Sequence, residues 1–385
     1  MKILNTNYSE RINNFLQALD HKADLAFFPI SPDLQFLTGI HRDMPTFGAI
    51  RHPGNWVEGL WLTPNAEPIL VLTRMTAEFC PPGDFGKIHI LGDHDDPYSF
   101  LRKILKELGL RNLTRAALGE RASGETLINL QIIDPGVVFL SASELLIEQR
   151  MVKSDPEISA MKKAGSITEQ AFDNVVGSLK HGITELDVIL EVDYQLRAHG
   201  SLGSSFNTAL YVVGPNHELF FNQPFKTLNR TLSPPVSILF DFGAIWDGYC
   251  YDFGRTVSFG EPSAGLVLAH QLVMAAQQAG IQAMADGKTS AEQVDETARN
   301  IILEAGMGEA FRHRLGHGIG LDVHEPPFLT KGDNTILRTG MLFTVEPSIL
   351  VPFSGSARVE DVVLVGPNGG IPLTTSYQAL IVIDS

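Results

Sequence analysis

The first 150 residues alternate short apolar runs with segments of mixed polarity. The runs ADLAFFPI and EPILVL have the length and continuous apolar character of buried strands. Residues 8–20 and 98–109 instead repeat their apolar positions at the spacing of amphipathic helices. Strands that alternate with helices predict an α/β layer domain over residues 1–150.

The pattern changes after residue 150. Ser154 is followed by Pro156 and Glu157, a capping box with proline in the first helical turn, so a helix is expected over 155–179. We place the domain boundary just before this helix, with the second domain over 151–385. Three more long helices, each behind a capping residue or a Gly/Ser break, are predicted over 183–199, 264–285 and 290–305.

Strand-like stretches separate these helices and are joined by short turns. They cover residues 236–245, 249–259, 340–350 and 357–365. Short connections favour antiparallel pairing, and the long helices are then expected to cover one face of the sheet. The second half therefore predicts an α+β domain.

Composition excludes several classes of function. The formal net charge is −15, from 29 Lys and Arg against 44 Asp and Glu, which argues against a nucleic-acid binder or an anionic-membrane binder. The sequence has no apolar run of membrane-spanning length, and the start MKILNTNYSERINNF lacks the apolar stretch of a signal peptide. With only two cysteines no disulfide framework is expected, so we predict a cytoplasmic protein.

Two aspartates lie on a predicted hairpin in the segment VSILFDFGAIWDGYCYDFGRTVSFG. Asp247-Gly248 is a strong two-residue hairpin signal. Such a loop pairs Asp241 with Gly254 and places Asp252 opposite Gly243, so both carboxylates point the same way. Two buried carboxylates on an apolar hairpin need a positive charge between them.

Three further segments supply candidate ligands. His317 lies in LGHGIGLDVHEPP, Glu346 in the apolar run GMLFTVEPSIL, and Glu360 in SARVEDVVLV. Four carboxylates and one imidazole favour Mn, Co, Zn or Fe over a metal that prefers thiolates. Two divalent ions would balance the four negative charges, and such a pair can activate a shared water molecule.

The motifs DFGAIWDGYCYDFGRT, LGHGIGLDVHE, TVEP and RVED resemble those of the pita-bread metallopeptidases, in the branch of prolidase, aminopeptidase P and creatinase. The segment SPDLQFLTG is similar to the creatinase-type N-terminal domain of that branch. The resemblance covers nearly the whole chain. It implies a C-terminal pita-bread catalytic domain, an N-terminal α/β creatinase-type domain, and a homodimer.

The resemblance also implies roles for individual residues. Asp241 would chelate one metal, Asp252 and Glu360 would bridge both, and His317 and Glu346 would bind the other. Glu346 would also shuttle the proton of the attacking hydroxide. His324 would donate a hydrogen bond to the substrate, and Arg358 would brace the region of the last glutamate.

One segment departs from the family pattern. Prolidase-like enzymes carry a histidine about 21 residues before the first metal aspartate, and this position falls here on Phe220, Phe221 or Asn222 in GPNHELFFNQP. His217 lies a few residues earlier and is the candidate replacement. The departure concerns the identity of the substrate and leaves the metal chemistry unchanged.

The first functional hypothesis is a dinuclear-metal hydrolase that cleaves the peptide bond preceding proline by a metal-bridging hydroxide, as an Xaa-Pro dipeptidase or aminopeptidase does. The second keeps the fold and the metals, with a small non-peptide C–N or sulfonio compound as substrate of a hydrolase or lyase. The third is a non-catalytic binding protein. The expected partners are a small peptide or another small molecule, without nucleic acid or membrane.

Overall fold

The structure is a computed structural model that describes residues 7–41, 53–80, 86–220, 224–353, 355–374, 376 and 379–384. The chain divides into two compact units, Met1–Arg150 and Met151–Ser385. No helix within the described ranges combines the length and the apolar character needed to cross a bilayer.

The first unit is built around one mixed six-stranded sheet. Its strands are β1 (Leu25–Phe28), β2 (Gly59–Leu62), β3 (Ile69–Thr73), β4 (Lys87–Leu91), β5 (Arg115–Leu118) and β6 (Val138–Ser141), in the order β4-β3-β2-β1-β5-β6. The helices are α1 (Tyr8–Leu19), α2 (Pro32–Thr38), α3 (Arg74–Phe79), α4 (Pro97–Glu107), α5 (Gly124–Ile133) and α6 (Ile147–Met151), the last of which ends at the first residue of the second unit. The α/β prediction for this half is confirmed, because β1, β5 and β6 run parallel while β2 pairs antiparallel with β1 and β3.

The helices of the second unit begin where their capping residues predict. They are α7 (Asp155–Ser178), α8 (Glu185–Ala198), α9 (Pro224–Thr227), α10 (Ala264–Ala283) and α11 (Ala291–Glu304). Ser154, Thr184 and Ser290 form capping boxes, and the Ser263 hydroxyl accepts a hydrogen bond from the backbone N–H of Leu266. Each such side chain satisfies a backbone donor that the first helical turn leaves unpaired.

Two larger sheets and two short hairpins make up the strands of this unit. They are β7 (Ala209–Val213), β8 (Val236–Phe242), β9 (Ile245–Trp246), β10 (Tyr249–Cys250), β11 (Phe253–Phe259), β12 (Gly316–Gly318), β13 (Glu325–Leu329), β14 (Leu342–Val345), β15 (Ser348–Ile349), β16 (Ala357–Arg358), β17 (Asp361–Val365), β18 (Gly370–Pro372) and β19 (Ile381–Ile383). The four-stranded sheet has the order β19-β11-β8-β7, and the five-stranded sheet has the order β13-β12-β14-β17-β18. The pairs are antiparallel as predicted, except that β19 lies parallel to β11.

The two larger sheets meet at the start of β11. Gly254 and Glu360 exchange backbone hydrogen bonds of 3.3 and 2.9 Å, which join β11 to the segment before β17. The Thr256 hydroxyl adds a second link, because it donates to the carbonyl of Arg358 and accepts from its backbone N–H. These links bring the ends of both sheets together, and all of the candidate ligands lie near this junction.

Candidate metal centre

The first two candidate ligands lie on the hairpin predicted from Asp247-Gly248. Asp241 pairs with Gly254 in the observed register, as predicted. Asp247 and Gly248 both adopt positive φ angles, of 54° and 82°, which is the backbone of a type I′ turn. The turn therefore sets the register that directs the carboxylates of Asp241 and Asp252 to the same side.

The other three candidate ligands come from the five-stranded sheet. His317 lies in β12, Glu346 directly after β14, and Glu360 directly before β17. The Thr344 hydroxyl links the first two, because it accepts from the backbone N–H of His317 at 3.1 Å and donates to Glu346 Oε1 at 3.3 Å. Antiparallel pairing thus brings residues from distant parts of the sequence to one end of the sheet.

The ligand atoms converge in three overlapping groups. Within each group, all candidate ligand atoms lie within 4.8 Å of one another. The groups are Asp241, Asp252 and Glu360; His317, Glu346 and Glu360; and Asp252, His317 and His324. Asp252, His317 and Glu360 each belong to two groups. A carboxylate has two oxygens that can contact different cations, so Asp252 and Glu360 have the arrangement expected of residues shared between two cations.

Arg358 partly neutralises the cluster. Its guanidinium lies 3.1 Å from Asp241 Oδ2, 2.6 Å from Glu346 Oε2 and 2.9 Å from Glu360 Oε2. One guanidinium carries a single positive charge, so it cannot balance four ionised carboxylates. The residual negative charge in a buried site requires further cations or protons.

Two buried oxygens show that Arg358 does not satisfy the cluster. Asp252 Oδ1 and Glu360 Oε1 are shielded from solvent and have no hydrogen-bond partner among the described residues. A buried carboxylate oxygen without a partner is costly. Because carboxylate oxygens and one imidazole nitrogen suit a divalent cation, the residues present fit the metal that the sequence predicts.

Burial is the largest cause of the pKa shifts of Asp252, Glu360, Glu346 and His317. It raises the pKa values of Asp252 and Glu360 well above their ordinary range, and neighbouring carboxylates add to the rise. It raises the pKa of Glu346 to about 7, against the opposing charge of Arg358. It lowers the pKa of His317 well below its usual value, so the imidazole is neutral and able to ligate.

His324 lies beside this cluster, although its residue is exposed. Its ring centroid is 4.0 Å from that of His317, with the two rings inclined at 62°. Burial of the ring within the site lowers its pKa, and the charge of Arg314 adds to the effect. A neutral imidazole that can donate one hydrogen bond thus stands next to the candidate metal ligands.

His217 is in a different place from the other candidates. Val213 pairs with Ser237 and Ala209 with Asp241, so the turn after Val213 leaves the sheet at the end away from Asp241. His217 is buried, and its Nε2 atom lies 3.0 Å from the carbonyl oxygen of Thr231. Burial lowers the pKa of His217. The structure therefore does not bring His217 to the cluster, and we leave it out of the catalytic set.

The segment that departs from the family pattern is described only in part. Phe220 is half-buried, and Lys226 Nζ lies 5.4 Å from the centre of its ring. Phe221 and Asn222 lie outside the described residues.

A pocket beside Arg358 contains residues that the sequence analysis missed. Its volume is about 300 Å³, and it is lined by Tyr211, Arg312, His313, Leu350 and Arg358. Tyr211 and Leu350 provide apolar surface, and the two arginines provide positive charge. The sequence signal was present for two of them, because Arg312 and His313 are separated from the LGHGIG motif by only one residue, Arg314.

The fold and the cluster together define a metal-dependent hydrolase, and comparison with known proteins identifies its family. The model of metallopeptidase family M24 matches residues 159–367. The chain belongs to this family and is a metal-dependent peptidase.

Similarity to individual proteins covers almost the whole chain. An Xaa-Pro dipeptidase of Lactobacillus delbrueckii subsp. lactis is 31% identical, over 97% of this chain and 98% of the relative. The crystal structure of a dipeptidase from Pyrococcus horikoshii OT3 superposes with a TM-score of 0.85 at 29% identity, over 97% of this chain and 100% of that one.

A recombinant prolidase from Thermococcus sibiricus gives the same TM-score of 0.85 at 28% identity, over 99% of this chain and 100% of that one. These matches confirm the pita-bread fold and the branch of prolidase and aminopeptidase P predicted from the sequence. The family match and the prolidase neighbours support an enzyme over the hypothesis of a non-catalytic binding protein.

Proposed function

We propose that this protein hydrolyses the peptide bond that precedes proline in small peptides, as an Xaa-Pro dipeptidase or aminopeptidase. The observation that carries the proposal is the convergence of five candidate metal-ligating side chains. Two of their buried oxygens, Asp252 Oδ1 and Glu360 Oε1, have no hydrogen-bond partner among the described residues. The name of the Lactobacillus relative supports the choice of substrate. We assign catalysis to residues 151–385 and regard 1–150 as the creatinase-type domain.

We propose that the centre holds two divalent ions, of Mn, Co, Zn or Fe. Asp241 would hold one ion, His317 and Glu346 the other, and Asp252 and Glu360 would be shared, a proposal that the overlapping groups of converging atoms support. When bound, such ions polarise a carbonyl and lower the pKa of a water molecule. We expect manganese to support activity. We also expect the protein to be a homodimer, which a molar mass from light scattering would test.

Glu346 is the proposed proton carrier. It is buried beside His317 and Arg358, with Oε1 3.4 Å from His317 Nε2 and Oε2 2.6 Å from Arg358 Nη2. In the metal-free protein, burial raises the pKa of Glu346 to about 7. In the metal-loaded protein, where bound ions favour the ionised form, the carboxylate would accept a proton from the attacking water and release it to the leaving nitrogen. Arg358 orients the carboxylate during this transfer.

His324 and the pocket beside Arg358 would position the substrate. The neutral imidazole of His324 can donate a hydrogen bond to the carbonyl oxygen as negative charge develops there. The pocket, of about 300 Å³, is at the lower end of the size of small-molecule sites. An imide nitrogen before proline has no N–H, so a site that offers no acceptor at this point can accept it.

The direct test is hydrolysis by the purified protein reconstituted with Mn²⁺ or Co²⁺. We expect cleavage of Ala-Pro, Gly-Pro and tripeptides with proline in second place, detected as released amino acids. Ala-Ala serves as the matched substrate without the imide bond. Metal content is measured in the same samples, and failure to cleave any proline peptide with metal bound would contradict the proposal.

That negative result would favour a second function on the same fold. His217, the candidate replacement for the usual substrate donor, follows the end of β7 that lies away from Asp241, and its Nε2 is 3.0 Å from the Thr231 carbonyl. Without that donor, a small non-peptide C–N or sulfonio compound is the alternative substrate of a hydrolase or lyase. Release of amine or sulfide from such compounds by the metal-loaded protein would identify this activity.

A further inference from the structure

Glu325, the residue that follows His324, forms a buried ion pair with Lys153. Lys153 Nζ is 3.1 Å from Glu325 Oε2, and the two side chains are 2% and 5% exposed. The partners are 172 positions apart in the sequence. A buried pair of this kind gains little net stability over well-packed apolar residues, but removing one partner leaves an uncompensated buried charge, so the pair ties its two segments together.

The pair holds the loop that carries His324. The second oxygen, Glu325 Oε1, accepts a hydrogen bond of 3.0 Å from the backbone N–H of Asp322. Within the loop, Gly320 N–H donates to the carbonyl of Asp322 at 3.0 Å, and the Gly320 carbonyl accepts from Cys250 N–H at 2.8 Å. Glu325 therefore fixes both the start of β13 and the turn that precedes it.

Gly320 packs directly against this ion pair. A Cβ atom at this position would lie 2.9 Å from both carboxylate oxygens of Glu325 and 3.0 Å from Lys153 Cε. Real Cβ atoms are almost never found so close to other heavy atoms, so a side chain at Gly320 would displace either the loop or the Glu325 carboxylate. The last glycine of the GHGIG segment thus has a packing role.

His324 depends on this loop because its own ring is weakly held. The imidazole contacts the ring of His317 but makes no hydrogen bond to any residue that the structure describes. Its position is therefore set by the backbone immediately next to Glu325. We propose that Lys153 and Glu325 are positioning residues that hold His324 at the metal centre, an inference that rests on the proposed role of His324.

The test compares Glu325→Gln with the wild-type protein loaded with Mn²⁺. Glutamine keeps the acceptor for Asp322 but loses the charge that binds Lys153, so the loop should loosen while the metal ligands stay in place. We expect kcat on an Xaa-Pro dipeptide to fall by about 10- to 100-fold with little change in KM. Calorimetric titration with Mn²⁺ should show unchanged stoichiometry.

A double-mutant cycle separates positioning from general stability. In a His324→Ala background, Glu325→Gln should cause no further loss of kcat, because both changes remove the same interaction. Glu185→Gln is the matched control, since it removes a buried carboxylate paired with Arg230 at the first turn of α8. It should leave kcat unchanged.

Amide hydrogen exchange provides a readout that does not depend on activity. Exchange of residues 320–324 should become faster in Glu325→Gln and in Lys153→Met, but not in the control. Equal losses of kcat in both backgrounds, or unchanged exchange in both variants, would overturn the inference. If the wild type cleaves no proline peptide, the proposed function fails. The exchange experiment would still show whether Lys153 and Glu325 hold the loop that carries His324.

Discussion

Individual carboxylates in the centre differ in how well the protein itself satisfies them. Arg358 forms ion pairs with Asp241, Glu346 and Glu360. Among the described residues, the nearest basic group to Asp252 is the His317 imidazole, whose Nε2 lies 3.7 Å from Asp252 Oδ2. Burial lowers the pKa of His317, so this imidazole is neutral and gives Asp252 no compensating charge. Asp252 therefore destabilises the fold unless a cation or a proton reaches it.

This difference predicts opposite effects on stability and on metal binding. Asp252→Asn keeps the shape of the side chain and removes the charge. If this raises the free energy of unfolding by about 1 kcal/mol, the EDTA-treated variant should melt about 2 to 4 °C above EDTA-treated wild type at pH 8. The increase in Tm on adding Mn²⁺ should be lost. Both are measured by differential scanning calorimetry.

Asp295→Asn is the matched control for this experiment. Asp295 is also buried, but it accepts two hydrogen bonds from Arg299, of 2.9 and 2.8 Å, and one from the Leu315 N–H. Its replacement should lower Tm. A lower Tm for Asp252→Asn as well would contradict the view that Asp252 lacks a charged partner in direct contact and that Arg358, acting from farther away, does not compensate it fully.

Glu346→Gln tests the proposed proton carrier. The amide cannot accept the proton of the attacking water, so kcat should fall by at least about 100-fold on every substrate that the wild type cleaves. Initial rates are measured at saturating Mn²⁺ with bound metal quantified. Glu296→Gln, on the exposed side of α11, should remain fully active, and substantial turnover by Glu346→Gln would refute the assigned role.

At the scale of elements, the β8–β11 hairpin decides where two ligands lie. The chain approaches itself so closely beside Asp241 that a Cβ on Gly243 would lie 1.7 Å from the Tyr251 carbonyl oxygen. Only glycine permits this approach, because backbone atoms on both sides cannot move apart without breaking the ladder. The glycine beside the first aspartate is thus part of the geometry of the centre.

Gly243→Ala should therefore disturb both folding and metal binding. We expect a large drop in Tm, measured by circular dichroism, and loss of the Mn²⁺-dependent increase in Tm. Gly177→Ala in α7 is the matched control, since a Cβ there meets nothing within 4 Å and alanine favours the helix by about 1 kcal/mol. Normal metal binding by Gly243→Ala would contradict the hairpin argument.

At the scale of the whole molecule, metal binding and folding are coupled through protons. Burial raises the pKa of Glu346 from an ordinary 4.5 to about 7, so the folded protein holds this proton more tightly than the unfolded chain. The resulting stability is complete below the unfolded pKa and is lost as the pH rises through the folded one. Bound divalent ions favour the ionised form instead.

The EDTA-treated protein should accordingly lose thermal stability between about pH 4.5 and pH 7 through this group. The increase in Tm produced by saturating Mn²⁺ should be larger at pH 8 than at pH 5.5, because protons no longer compete with the metal. Calorimetry across this range gives both quantities. A metal-induced increase that does not depend on pH would contradict the coupling.

Sequence alone determined the features that depend on neighbouring residues. Capping boxes at Ser154 and Ser290 are local hydrogen bonds, and the register of Asp241 with Gly254 follows from a two-residue turn whose backbone only a few residue types adopt. The four candidate carboxylates could be named because charged residues in apolar, strand-like stretches require a cation, and His317 could be named from its motif LGHGIG.

Tertiary structure decided what depends on contacts between distant segments. Arg358 reaches three carboxylates only after β11 and β17 have been joined, and His217 is directed to Thr231 because its turn leaves the sheet at the opposite end. The pairing of Lys153 with Glu325 has no local signal at all. Short-range hydrogen bonding leaves its pattern in the sequence, whereas burial, charge compensation and pocket shape arise only once the sheets have packed.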